Sequence, residues 1–213
     1  MMLTNKKAVS HLPLSCTLVL IQALGTVALL QLLVRGDVEP LRVKTCVRWL
    51  PIAVLFTLML FTSLQSFVHA SVATVIIFRN IGAIVTTVVE YFVRGVAVNA
   101  RVVAAELVIV AGAVMYGWGA IDFTWVGLFW ILMNVVAQTI YGVLNKKMSD
   151  LYPEFKQMSR YTMSMYNNVL AMPLVVVIGF VQMEHLVVAE RVAAVSNLGW
   201  AIIAASCFLG FGI

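Results

Sequence analysis

The chain has 213 residues, of which 62% are hydrophobic and only 11% charged, against about 45–50% and about 25% in an ordinary soluble domain. With a mean hydropathy of +1.02, this composition excludes a soluble globular protein and implies an integral membrane protein. The net charge of +5 is a matter of topology rather than of nucleic-acid binding, because the cations cluster between apolar blocks.

Lys6 and Lys7 precede the first apolar block, at about 15–34. A signal-peptide core is about 7–15 residues and a spanning helix about 20, so this block reads as a span. Further blocks at about 49–69, 71–93, 103–121, 124–145 and 162–182 bring the complete spans to six, and a seventh begins near 199. The runs are continuously apolar, whereas barrel strands alternate over about 10 residues. The fold class is therefore all-α: a polytopic membrane helix bundle in one transmembrane domain, 1–213.

Alternate loops share a side. One side carries Arg35, Arg42, Lys44, Arg48, Arg94, Arg101, Lys146, Lys147, Lys156 and Arg160; the other carries Lys6, Lys7 and Arg191. The cation-rich side is cytosolic by the positive-inside rule, which leaves the N-terminus luminal. A luminal start, and a last block too short to cross, lead to the expectation that the chain is truncated at both ends.

Ionisable groups inside spans are functional candidates by default. Arg79 and Glu90 share the third span and Glu106 lies early in the fourth. Eleven residues bring Arg79 and Glu90 onto nearly the same helix face but about 16 Å apart, so each needs its own partner or a watery cavity. The fourth span, rich in Gly and Ala, reads as a packing helix. Tyr166, Asn167 and Asn168 open the sixth span. Adjacent asparagines point about 100° apart, so one can read a ligand while the other holds a helix. Their amides suit a nucleobase edge or serve as helix glue. The cysteines, Cys16, Cys46 and Cys207, are scattered and read as apolar filler. Walker A, HExxH, CxxC-pair and GxSxG motifs are absent from the sequence. His11, His69 and His185 fall in separate segments. No enzyme and no cofactor are expected.

"FRNIGAIVTTVVEYFVRG" (78–95) and "MYNNVLAMP" (165–173) resemble two motifs of the nucleotide-sugar transporters, in the GDP-mannose (GDP-sugar) branch of the drug/metabolite transporter superfamily. Arg79 stands for the lysine of an FKN-type motif, with Asn80 and Glu90 in place. Met165 replaces the phenylalanine of FYNN, and Tyr166, Asn167, Asn168 and Pro173 match. "WLPIAVLFTLMLFTSLQSF" (49–67) and "DFTWVGLFWILMNVVAQTIYGVLNKKM" (122–148) are similar to the family's third and sixth helices. The resemblance implies ten helices in two inverted five-helix repeats, of which this chain would be a fragment. It implies a Golgi multi-pass antiporter that exchanges a GDP-sugar for GMP, often as a homodimer. Tyr166, Asn167 and Asn168 would then line the nucleotide pocket. The family's GALNK motif, in its ninth helix, is missing. "GVLNK" (142–146) looks like it but precedes the YNN motif and sits at the cytosolic end of the sixth helix, so Asn145 and Lys146 read as a chance likeness, although a lysine there could still draw anionic substrate toward the cytosolic mouth. A truncated, non-transporting membrane protein and a same-fold carrier of another nucleotide sugar stay open.

Overall fold

A computed structural model describes residues 2–95, 97–118 and 124–211. Its regular structure is helical: α1 (Met2–His11), α2 (Ser15–Leu33), α3 (Val43–His69), α4 (Val72–Arg94), α5 (Ala100–Gly117), α6 (Trp125–Leu151), α7 (Pro153–Gln157), α8 (Arg160–Val181), α9 (Val188–Ala193) and α10 (Asn197–Phe211). Among the described residues α2, α3, α4, α6 and α8 are long and apolar enough to cross a membrane. The end of the fourth apolar block, 119–121, lies outside the described residues.

Two helices outrun their apolar blocks. α3 starts at Val43 rather than near 49, and α6 continues to Leu151 rather than stopping near 145. Hydropathy marks where hydrocarbon ends, not where the helix ends. Lys44, Arg48, Lys146 and Lys147 ride on these extensions and carry their charges toward water.

Several starts are capped locally. Ser71, Asn99, Thr124 and Ser159 accept N–H bonds from Thr74 (3.2 Å), Arg101 (2.9 Å), Gly127 (3.0 Å) and Thr162 (3.1 Å), satisfying first-turn donors. α4 closes on Gly95 at φ 66°, where a side chain would be strained. α2 has no side-chain cap of its own. Its first-turn donors go instead to Glu184, which accepts from Cys16 N (3.0 Å), Thr17 N (2.9 Å) and the Thr17 hydroxyl (2.8 Å).

α6 packs on α3 and α4, α8 on α3 and α2, and α10 on α2 and α1, while α5 lies mainly against α4. Helix association in lipid relies on close backbone approach and on polar glue. A Cβ on Gly82 would meet Val135 Cγ1 at 3.1 Å, so α4 and α6 approach closely there. Asn134 Nδ2 donates to the Met59 carbonyl (2.8 Å) and to Thr62 Oγ1 (3.1 Å), joining α6 to α3. Thr57, Thr62, Ser66 and Thr86 return their hydroxyls to carbonyls on their own helices. The packing-helix reading of the fourth span is met on one side only, since Gly112 of α5 faces open space.

Candidate functional site

The cation-rich loops come together at one end of the bundle. Arg48 meets Glu154 at 2.7 Å and Arg94 meets Asp150 at 2.9 Å. Below this basic end, α3, α4, α5 and α6 line an open cavity of about 450 Å³ whose polar lining includes Thr87, Glu90, Glu106, Gln138, Tyr141 and Lys146.

Its charged groups differ in how far they are satisfied. Glu90, with a side chain 15% exposed, takes Lys146 Nζ at 2.5 Å and Arg94 Nη1 at 3.8 Å, while Lys146 is 54% exposed. One turn further from the end of α4, Thr87 donates its hydroxyl to Glu106 Oε1 at 2.9 Å. Glu106 Oε2 is buried and has no hydrogen-bond partner among the described residues, and neither does Asn145 Oδ1. A buried acceptor without a donor is costly and calls for an explanation.

Tyr141 connects this cavity to the YNN segment. Its hydroxyl accepts from Asn167 Nδ2 (3.0 Å), and Asn167 Oδ1 accepts from the buried Trp49 indole N–H (2.8 Å). The Tyr166 ring lies tilted on Trp49 with centroids 6.2 Å apart. Its hydroxyl accepts from the backbone N–H of Arg42 at 2.9 Å. Asn168 turns back on its own helix and donates to the Ser164 carbonyl (2.8 Å) and Oγ (3.3 Å). All three side chains are buried. The asparagines diverge as helical geometry requires: Asn167 joins α8 to α3 and α6, and Asn168 stays on α8.

Arg79 and Glu90, expected to need separate partners, have them. Arg79 Nη2 donates to Ser63 Oγ at 2.6 Å, its guanidinium lies 6.0 Å from the Phe67 ring centroid, and its Nε is buried with no hydrogen-bond partner among the described residues. Asn80 is half-buried on the same turn. The structure therefore puts Glu90 in the cavity lining and ties Asn167 to the lining residue Tyr141, while Tyr166 and Asn168 lie outside the lining, on Trp49 and Arg42 and on α8 itself, and Arg79 stays among the α3 contacts. Gln138 and Tyr141 were not singled out from sequence. Tyr141 lies five residues before Lys146 in the same run, but nothing local marks it as a partner of Asn167.

A second, smaller hollow of about 150 Å³ lies at the opposite end between α2 and α8, against Leu20, Val175, Gly179 and Phe180. Its lining is almost wholly apolar, and Glu184 beside it is spent on the α2 cap.

No family model matches the chain. It is similar to the GDP-mannose transporter GONST1 of Arabidopsis thaliana, 28% identical over 180 residues, covering 82% of this chain and 54% of that protein. The GDP-fucose transporter 1 of the same plant is 28% identical over 219 aligned residues, 97% of this chain and 62% of that protein. The GDP-mannose transporter 1 of Saccharomyces cerevisiae (strain YJM789) is 24% identical over 173 residues, 73% of this chain and 50% of that protein. The chain thus spans about half the length of the relatives it matches.

Proposed function

We propose that this chain, a member of the nucleotide-sugar transporter family, serves the passage of a GDP-sugar across the Golgi membrane in exchange for GMP. One observation carries the reading: relatives named for GDP-mannose and for GDP-fucose align with most of this chain.

The site fits such a ligand chemically. The basic end would face the cytosol, where its positive potential concentrates an anionic nucleotide sugar. Tyr166, Asn167 and Asn168 would line the nucleotide pocket. Asn167 presents a donor and an acceptor, now engaged by Tyr141 and Trp49, and a guanine edge offers the same pair of complements. On this reading the protein works within lipid, as a homodimer, and no catalytic residue is involved.

The test is exchange by the full chain in liposomes preloaded with GMP. Labelled GDP-mannose should enter only when GMP is inside, and external guanine nucleotides should compete while uridine nucleotides do not. Equal competition by uridine nucleotides would assign the site to another nucleotide sugar. An absence of GMP-dependent uptake would contradict transport by this chain.

A further inference from the structure

We propose that Lys146 is the anion-binding residue of the α3–α6 cavity, exchanging its partner Glu90 for a phosphate group of the substrate. The proposal rests on the nucleotide-sugar reading above and gives the phosphates a place that neither the YNN segment nor Arg79 supplies.

Among the charged residues that line the cavity, Lys146 is the cation, and Glu90 and Glu106 are the anions. The Lys146 ammonium carries three donors on a flexible stem, and one of them reaches Glu90. The side chain is 54% exposed, and ion pairs that exposed are weak. A phosphate brings more charge and more acceptor oxygens than a carboxylate, so it can displace Glu90 at this position. Glu90 is not stranded by the exchange, because Arg94 lies 3.8 Å away on the same helix, itself tied to Asp150. Glu106 sets the direction. It lies a turn deeper through its bond to Thr87, so its carboxylate repels a phosphate from the inner end and confines it to the Lys146 end. The unpartnered Glu106 Oε2 is left for a donor group of the ligand. Glu90 is therefore an internal competitor for the lysine, and removing the competitor should improve binding.

The experiment is calorimetric titration of the purified full chain with GMP, UMP, guanosine and inorganic pyrophosphate, in wild type, E90Q, K146Q and K146R. The Lys146→Gln change should weaken GMP and pyrophosphate by about tenfold or more, the order expected for a lost charge-assisted contact. The ratio of GMP to guanosine affinity should fall with it. Lys146→Arg should retain anion binding. Glu90→Gln should move the other way and tighten GMP and pyrophosphate several-fold. A pair that only braces α4 against α6 predicts that E90Q and K146Q weaken binding together, and that result overturns the assignment. The two readings fail separately. If wild type prefers GMP to UMP while E90Q and K146Q fall together, the anion site is wrong and the guanine reading stands. If pyrophosphate follows the opposite-sign pattern but GMP and UMP bind alike, the anion site stands and the GDP-sugar reading falls. Wild type that binds none of these probes overturns both.

Discussion

Glu184 and Glu106 are both membrane-protein carboxylates held against helix ends or flanks, yet they are used in opposite ways. Glu184, 8% exposed, accepts three bonds from the first turn of α2, a helix more than 160 residues away in the chain (|i−j| = 168 for Cys16). Among the described residues Glu106 accepts one bond, from Thr87, and keeps its other oxygen buried without a partner. The first carboxylate is fully committed to holding the fold. The second sits in a cavity with Lys146, Glu90 and Tyr141 and has capacity to spare. The contrast marks a difference between two carboxylates: Glu184 is closed into structure, whereas Glu106, in the cavity below the basic end, keeps an acceptor oxygen with no partner among the described residues.

Substitutions sharpen that division. Glu184→Ala should cause the largest loss, roughly 3 kcal/mol, because it leaves buried N–H donors at the start of α2 unmet and removes a charge from a helix N-terminus. Thermal unfolding in detergent would register it, and an unchanged Tm would contradict the tertiary cap. Asn167→Ala comes next, at about 1–3 kcal/mol, because the Trp49 indole N–H is then buried without an acceptor. Asn168→Ala touches only contacts within α8, so the fold and expression should survive it. GDP-sugar exchange should nevertheless drop sharply, and unchanged uptake would make Asn168 a purely structural amide. The smallest effect on stability belongs to Glu106→Gln, within about 0.5 kcal/mol, because the amide oxygen can still accept from Thr87 and a poorly solvated charge is removed. A loss as large as that of Glu184→Ala would erase the distinction between the two carboxylates.

Much of the helical framework could be read from the sequence, because continuous apolar runs and the asymmetry of the basic loops are local signals. The divergence of Asn167 and Asn168 followed from the helical turn alone. What escaped was long-range or chemically ambiguous. Nothing near Glu184 announces that it caps α2, and nothing near Tyr141 announces Asn167. Sequence order makes the GVLNK likeness a chance one and leaves Lys146 only as a cation near the cytosolic mouth; its place in the cavity depends on α6 continuing as helix beyond its apolar block. Small residues likewise foretold close packing for α5, but their spacing does not say which side has a neighbour, and Gly112 faces open space.

The most direct test of the account is thermal stabilisation of the purified full chain by GMP and by UMP, measured side by side. A ligand at a hundred times its Kd stabilises the folded state by about 2.7 kcal/mol, enough to raise Tm by several degrees. The account predicts that GMP produces this rise and UMP does not. An equal shift with both nucleotides, or none with either, would contradict a guanine-nucleotide site at the basic end of this bundle.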